Sequence, residues 1–253
     1  MKPPEARNRR IGLLVPSSNT TVEPEFYRAL PPHITLHVAR LHLTQITPES
    51  ILGMVADLEA QSRALASADV DAIVLGATAP SFLKGLGYDR EIAQRIEAAS
   101  GKRATTTSTA LIEAIRHLGL ERVVLGSAYD ARVNGIARAF LEANGVTVLD
   151  AQGLGLVDNL EVGRLDERTA YDLARRVDRP DAQGVVLSCT NWRTLGVIER
   201  LERELRKPVI STTQVSIWAA LRMLGETGGM PGYGCLLREI DTRSREKQLT
   251  KTP

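Results

Sequence analysis

Residues 185–191 read VVLSCTN, and residues 73–79 read IVLGATA. Each stretch is a short apolar run followed by small, mostly hydroxyl-bearing residues, which is typical of a buried parallel strand that opens into a turn. The two stretches lie 112 positions apart, and on that spacing Cys189 corresponds to Ala77. The sequence therefore predicts two similar halves, of which only one carries a thiol at this place.

A second pair of stretches repeats at the same spacing. RIGLLVPS begins at Arg10 and RVVLGSAY begins at Arg122, again 112 positions apart. KRATTTSTALIEAI, from Lys102, also resembles KPVISTTQVSIWAA, from Lys207, at a spacing of 105 positions. Two distant matches at one spacing are hard to obtain by chance, so we infer two related lobes.

Predicted strands and helices alternate along the whole chain. The strands are expected at 10–15, 34–39, 71–76, 102–106, 122–126, 146–149, 184–187 and 208–211. The helices are expected from Val22 to Leu30 and at 47–66, 89–99, 108–118, 130–144, 167–177, 194–205 and 215–224, with a loop at 153–166. This alternation predicts an α/β fold of two pseudo-symmetric lobes, each an open parallel sheet flanked by helices.

The repeat also divides the chain. We expect an N-terminal tail at 1–10, a first lobe from 11–108 plus 216–240, a second lobe from 109–215, and a charged, disordered tail at 241–253. In open α/β sheets the ligand lies at the carboxyl ends of the strands. Ala77 and Cys189 are therefore expected to flank one cleft between the lobes, with Asn19 and Tyr129 near its floor.

Composition excludes several classes of protein. The net charge of the 253 residues is +2, which gives no argument for nucleic acid or a membrane surface. No apolar run approaches the length of a membrane span, and the start lacks the apolar core of a signal peptide, so we expect a cytoplasmic protein. Two cysteines predict no disulfide framework, and the four histidines lack metal-ligand spacing.

Cys189 is the leading functional candidate. A buried free cysteine often packs as a small hydrophobe. Here, however, it ends a predicted strand just before a helix, where unpaired backbone N–H groups favour an anion and lower a thiol pKa. We therefore predict a functional thiol at Cys189 and a structural one at Cys235.

Polar residues beside the two strand ends are candidate ligands for a carboxylate. Thr78, Thr190 and Asn191 can donate hydrogen bonds beside backbone amides, although helix capping uses the same residue types. The Tyr129 hydroxyl is favoured as an anion-facing donor. Asn19 and Asn159 are equally compatible with plain turn positions.

Taken together, these stretches resemble the maleate cis-trans isomerase and arylmalonate decarboxylase branch of the aspartate/glutamate racemase superfamily. The resemblance runs from RIGLLVPSSNTTVEPE through ATTTSTAL, GLVDNLEVG and LSCTN to PGYGCLL, which is nearly the whole chain. It implies two pseudo-symmetric α/β lobes with the active site between them. It also implies a small dicarboxylate substrate and no metal or organic cofactor.

One set of residues in the resemblance favours decarboxylation. Racemases and maleate isomerases of this superfamily usually carry a cysteine in each lobe. The decarboxylases keep only the second, which protonates an enediolate, and have a small residue at the first place. Ala77 with Cys189 matches that pattern. Thr78 and Tyr129 match the hydroxyl cluster that holds the retained carboxylate, whereas Ala79 stands where a serine is expected.

Other residues favour isomerisation. Asn19 and Asn159 match isomerase asparagines that bind the substrate carboxylates, whereas the decarboxylases place apolar groups around the carboxylate that leaves. The chain is then either a natural one-thiol enzyme acting on a polar diacid, or a maleate isomerase whose first cysteine has been replaced by alanine at position 77. A binding module without turnover is a third class, disfavoured by the missing export signal.

The prediction we carry forward is a cofactor-independent decarboxylase working through an enediolate. Cys189 is the proton donor, and Thr78 and Tyr129 stabilise the developing charge. The loop around Leu41 and Leu43 is expected to cover the cleft and exclude water. The predicted substrate-binding residues are Asn19, Ser17, Ala77, Ala79, Asn159, Thr190, Asn191, Leu41 and Leu43. The sequence leaves the oligomeric state open, including a homo-oligomer.

Overall fold

The structure is a computed structural model that describes residues 8–240. Residues 1–7 and 241–253 lie outside the described residues, and with them the predicted C-terminal tail and most of the N-terminal one. Arg9, placed in that N-terminal tail by the sequence, already begins the first strand. Within residues 8–240, the helices are all too short or too polar to cross a membrane.

Within residues 8–240, eight parallel strands form two four-stranded sheets. The first sheet has the order β2-β1-β3-β4 and consists of β1 (Arg9–Pro16), β2 (Ile34–Leu41), β3 (Ala72–Leu75) and β4 (Arg103–Thr106). The second has the order β6-β5-β7-β8 and consists of β5 (Arg122–Tyr129), β6 (Thr147–Leu156), β7 (Gly184–Ser188) and β8 (Val209–Ser211). The predicted fold of two open parallel sheets is confirmed.

Helices flank both sheets. In chain order they are α1 (Val22–Ala29), α2 (Pro48–Met54), α3 (Leu58–Ser67), α4 (Thr78–Phe82), α5 (Tyr88–Ser100), α6 (Thr107–His117), α7 (Ala131–Ala143), α8 (Asn159–Arg164), α9 (Glu167–Val177), α10 (Leu195–Leu205), α11 (Thr212–Met223) and α12 (Cys235–Arg238). Six of these helices within residues 8–240 begin at a side chain that caps its own helix, as Thr47, Thr106, Asp130, Asp158, Asp166 and Ser211 do.

The strand registers reproduce the sequence repeat residue by residue. In the first sheet Ile11 of β1 lies opposite Ala72 of β3, and in the second Val123 of β5 lies opposite Gly184 of β7. Both partners shift by the same 112 positions, so the two sheets are equivalent in pairing as well as in strand order.

A pair of equivalent helices, one from each half, joins the two halves. Helices α6 and α11 pack against each other, and the hydroxyls of Thr107 and Ser216 lie 2.8 Å apart between them. Both positions are fully buried. The equivalent strand ends are thereby held facing one another.

Two local predictions were wrong. The helix expected at 47–66 is interrupted by a 3-10 turn at Val55–Asp57. The loop expected at 153–166 instead contains the end of β6 and helix α8. Its glycines led to the loop prediction, but Gly153 serves close packing, since a Cβ there would lie 2.3 Å from the Tyr129 carbonyl oxygen.

Candidate active site

A small cavity lies where the ends of β3 and β7 face each other. Its volume is about 20 Å³, which is room for one water molecule. Both halves of the chain line it, through Pro16, Asn19, Leu43, Ile46, Ile51, Ala77, Thr78, Ala79, Pro80, Tyr129, Asn159, Cys189, Thr190 and Asn191. Ala77 and Cys189 are thus walls of one cavity.

Of the residues predicted for the site, two do not line the cavity. Leu41 is the fully buried last residue of β2, paired with Pro16. Ser17 turns its hydroxyl to the backbone of Leu43, accepting from Leu43 N at 3.0 Å and donating to Leu43 O at 3.2 Å. Both residues anchor the covering loop and are not placed to touch a ligand.

The sequence missed four lining residues, all of them apolar: Pro16, Ile46, Ile51 and Pro80. Apolar periodicity marks Ile51 as a buried residue of α2, but that signal does not say which surface the helix covers. Pro16 directly precedes the SSN turn. Its position at the end of the first strand was the sequence feature from which its place in the site could have been predicted.

Cys189 occupies an unusual backbone position. It follows the last residue of β7, is 6% exposed and has a φ of 157°, a value that residues with a Cβ rarely adopt and that concentrates at functional sites. Its backbone N–H donates to the Thr212 hydroxyl at 3.0 Å. This bond fixes the backbone from which the thiol projects.

The Cys189 thiol is a neutral acid at physiological pH. Burial raises its pKa to about 11, although the Asn191 N–H and the Tyr129 side chain both favour the thiolate. The lowered pKa expected from the sequence is therefore wrong. Desolvation by burial outweighs both of these favourable contacts.

Two hydroxyls face the cavity near the thiol. Tyr129 ends β5 and is 2% exposed, and burial raises its phenol pKa, so it remains a neutral donor. The Thr78 hydroxyl, at the start of α4, is buried beside the Tyr129 side chain and forms no hydrogen bond of good geometry to a described residue. A buried hydroxyl left unpaired in this way is available to a ligand oxygen.

The asparagines of the cavity connect the two halves. Asn19 Oδ1 accepts from Thr21 N at 2.9 Å and from Val22 N at 3.0 Å. Asn19 Nδ2 donates to Thr190 Oγ1 at 3.2 Å, and that hydroxyl donates to Gly76 O at 3.0 Å. Asn19 and Thr190 therefore already serve the structure, and only the second N–H of the amide remains for a ligand.

Asn191 and Asn159 continue the same network. Asn191 Oδ1 accepts from Thr20 N at 2.8 Å, and its Nδ2 donates to Asn159 O. Asn159 Nδ2 in turn donates to Ser18 Oγ at 2.8 Å. These amides hold the loop after β1 against the start of α8.

The segment 42–46 closes the cavity from above. Ile46 N donates to Val157 O at 2.8 Å, and Asn159 N donates to Thr44 O at 3.2 Å. Gln45 also forms an antiparallel bridge with Asp158. These bonds attach the segment 42–46 to the second half of the molecule, and Leu43 of this segment lines the cavity.

No group of three or more histidine, cysteine, aspartate or glutamate side chains is arranged to hold a metal ion within residues 8–240.

Known proteins resemble the chain over nearly its full length. The family model described as arylmalonate decarboxylase matches residues 11–237. Arylmalonate decarboxylase of Bordetella bronchiseptica is 32% identical over 240 residues, covering 93% of this chain and 99% of that protein. Maleate isomerase of Nocardia farcinica is 32% identical over 241 residues, covering 91% and 96%.

Solved structures of both kinds of enzyme are similar to this chain over nearly its full length. Nocardia farcinica maleate cis-trans isomerase bound to TRIS has a TM-score of 0.87 at 30% identity, over 91% of this chain and 98% of that one. A Gly-to-Cys variant of arylmalonate decarboxylase has a TM-score of 0.82 at 31% identity, over 91% and 100%. Similarity alone does not separate the two activities.

Proposed function

Because the chain belongs to the arylmalonate decarboxylase family, within the Asp/Glu racemase superfamily, we propose that this enzyme removes one carboxyl group from a small dicarboxylic acid. The reaction uses no cofactor and passes through an enediolate that Cys189 protonates. The observation that carries the proposal is a buried, neutral thiol at Cys189 opposite Ala77 in one cavity.

The state of the thiol supports the role of proton donor. A general acid must hold its proton until the carbanion forms, and a thiol with a pKa of about 11 does so at neutral pH. Addition of sulfur to a double bond, as in cis-trans isomerisation, requires the thiolate instead. Ala77 offers no second sulfur for either step.

The retained carboxylate is held by the two hydroxyls. As carbon dioxide leaves, negative charge moves onto the oxygens of this carboxylate. The free Thr78 hydroxyl and the neutral Tyr129 phenol donate to those oxygens. Donors placed in advance at a developing charge are usually the largest single catalytic contribution.

The leaving carboxylate faces the apolar wall formed by Leu43, Ile46 and Ile51. A carboxylate without water or paired donors is destabilised, whereas carbon dioxide is not. The side-chain amides of Asn19 and Asn159 form hydrogen bonds within the loop network. Fewer of their donors therefore remain to stabilise the leaving carboxylate, and the objection that these asparagines raise against decarboxylation is weaker.

The bond between the α-carbon and the leaving carboxylate breaks, and its electron pair forms the enediolate. The Cys189 S–H then gives its proton to the α-carbon, and the resulting thiolate is reprotonated from solvent. Because one thiol delivers from one face, the product is a single enantiomer whenever the α-carbon is stereogenic.

Substrate entry requires the segment 42–46 to move. A cavity of about 20 Å³ holds one water molecule and no dicarboxylic acid. Opening breaks the bonds from Ile46 N to Val157 O and from Asn159 N to Thr44 O. Closure over the bound acid re-forms them and excludes water.

Maleate isomerisation is the second candidate, favoured by the asparagines in the cavity wall. A maleate isomerase of Nocardia farcinica in the same fold, a Cys-to-Ser variant, holds a covalently bound succinylcysteine intermediate. That chemistry needs a nucleophilic sulfur, and in this chain only Cys189 is present in the cavity wall.

NMR of the protein with maleate, methylmalonate-type and arylmalonate-type acids in D₂O separates the candidates. The proposal predicts loss of carbon dioxide from a malonate-type acid, with one deuterium at the α-carbon. Conversion of maleate to fumarate without loss of carbon dioxide would establish the isomerase instead. Tight binding of these acids without turnover, unchanged in Cys189→Ser, would establish a binding module.

A further inference from the structure

Helix α10 is capped by a residue from the other half of the molecule. Glu25 of α1 accepts from Thr194 N at 2.9 Å and from Leu195 N at 3.1 Å, both through Oε1. Thr194 occupies the N-cap position but makes no capping bond, since its hydroxyl donates to Ser211 Oγ at 2.9 Å. Glu25 is only 5% exposed.

Capping α10 with the buried carboxyl group of Glu25 is energetically less favourable than a local side-chain cap would be. Six other helices within residues 8–240 begin at a local side-chain cap, which needs no buried charge. Burying a carboxyl group is unfavourable unless it is fully paired. The second oxygen, Glu25 Oε2, is buried with the Thr213 hydroxyl as its neighbouring donor, and the two form no hydrogen bond of good geometry. The remote cap therefore calls for an explanation beyond helix capping.

The bonds of Glu25 end at the segment that carries the thiol. Residues 189–195 connect β7 to α10 and contain three cavity residues, Cys189, Thr190 and Asn191. The Thr212 hydroxyl accepts from Cys189 N at the start of this segment, and Glu25 holds its end. Thr213, next to Thr212, presents its hydroxyl to Glu25.

We propose that Glu25 is a positioning residue that fixes the segment 189–195, and with it the direction in which the Cys189 thiol points into the cavity. The inference rests on the acid/base role proposed for Cys189. It does not depend on whether the reaction is decarboxylation or isomerisation, because both need the sulfur within reach of the same carbon.

The surroundings of Glu25 contain few charges. Glu167 of α9 lies against the first turn of α10, where a Cβ on Gly196 would be 2.3 Å from Glu167 Oε2. Arg28 of α1 pairs with Glu167 at 3.2 Å, and Thr213 is the facing polar group of α11. Burial, with a smaller contribution from Glu167, raises the pKa of Glu25 to about 7.

Ionisation of Glu25 is therefore coupled to the geometry of the segment. Above pH 7 the carboxylate holds both N–H groups through charge-assisted bonds, and below it the neutral acid holds them more weakly. We expect kcat of the parent to fall as the pH drops through about 7.

The test compares Glu25→Gln with Glu167→Gln as the matched control. Glu25→Gln should lower kcat by ~10- to 10²-fold, because a displacement of about 1 Å at the reacting group has effects of that size. KM should change less than about threefold, as for an interaction made in the transition state. The kcat decrease near pH 7 should disappear.

Glu167→Gln is the control. Glu167 lies at the same end of α10 but forms no hydrogen bond to Thr194 or Leu195, so this variant should keep the kcat of the parent.

Amide NMR provides a readout that needs no turnover. In the parent, the Thr194 and Leu195 N–H resonances, and the Cys189 side-chain resonances with them, should titrate with a midpoint near pH 7. In folded Glu25→Gln they should not. If no acid is turned over, the proposed function fails while this titration still decides the role of Glu25.

Two results would overturn the inference. One is a folded Glu25→Gln protein with the kcat and pH profile of the parent. The other is measured on the parent protein, so it decides the matter even if that variant fails to fold. The inference is wrong if the Thr194 and Leu195 N–H resonances do not titrate, or if they titrate and the Cys189 resonances do not respond.

Discussion

Ala77 and Cys189 lie at equivalent strand ends, 112 positions apart, and face the same cavity. The pairing of β1 with β3 and of β5 with β7 shifts by that same number. In the proposed reaction, a substrate held between these ends meets the Cys189 thiol on one side and the Ala77 methyl group on the other. The proposed one-sided proton delivery therefore depends on this one residue difference between the two halves.

Replacing the thiol tests its role. Cys189→Ala should abolish turnover while leaving the fold and most of the acid affinity intact, because only the proton donor is removed. Steady-state kinetics and calorimetry measure both. Cys235→Ala is the control, since Cys235 lies outside the cavity and its thiol pKa is raised to about 12 beside Glu202. Substantial activity in Cys189→Ala would remove Cys189 from the mechanism.

Removing the phenol hydroxyl tests charge stabilisation. Tyr129→Phe keeps the ring, which packs edge-on against Phe82 with centroids 6.2 Å apart. It takes away one donor to the enediolate, so kcat should fall by ~10²–10³-fold, as for other lost oxyanion donors. A change in KM alone would mean that Tyr129 binds only the ground state.

The pH dependence of the thiol gives a third prediction. A proton donor works only while protonated, and the pKa of Cys189 is raised to about 11. Turnover should therefore show no loss from thiol ionisation until the pH approaches that value. The ultraviolet absorbance of the thiolate, compared between the parent and Cys189→Ala, measures this pKa directly. A thiolate at Cys189 at neutral pH would contradict a donor role and favour a nucleophile.

Glu25 should make stability depend on pH. Its pKa rises from 4.5 in the unfolded chain to about 7 in the folded protein, so the folded state binds this proton more tightly. Its contribution to stability is then largest below about pH 4.5 and declines as the pH rises to about 7, by about 3 kcal/mol. Urea unfolding of the parent should show this decline, and Glu25→Gln should lack it. An equal pH dependence in both proteins would rule out the shift.

The fold was predictable because its signals are local and repeated. Buried parallel strands such as IVL at 73–75 and VVL at 185–187 are continuous apolar runs, and the spacing of 112 relates the two halves. Helix α8 was missed because its six residues follow a glycine-containing stretch. The reason for Gly153 is the nearby Tyr129 carbonyl oxygen, a long-range contact that no local pattern contains.

The site was predictable in its polar residues and less so in its apolar ones. Strand ends and hydroxyl-bearing residues pointed to Thr78 and Cys189, whereas Ile51 reaches the cavity only through the docking of α2. The direction in which the pKa of the Cys189 thiol shifts could not be predicted from the sequence either. It depends on how deeply Cys189 is buried, which is a product of the folded structure.

Adding a second thiol tests the relation between the halves. Ala77 is 2% exposed in a closed cavity, and one added sulfur should be tolerated where the loop can open. Ala77→Cys should gain maleate-to-fumarate conversion, or racemise a product that the parent makes as one enantiomer. With a thiol on each side of the cavity, a proton can be taken from one face of the α-carbon and returned to the other, and the thiolate form at position 77 supplies the nucleophile that maleate requires. An unchanged product from the folded variant would contradict the equivalence.

The most direct measurement is the enantiomer composition of the decarboxylation product when the only cavity thiol is moved across the cleft. The parent donates its proton from the Cys189 side, and Ala77→Cys combined with Cys189→Ala donates from the opposite one. Chiral chromatography of the two products should show opposite enantiomers in excess. The same enantiomer from both proteins, or a product unaffected by the loss of Cys189, would contradict proton delivery by this thiol.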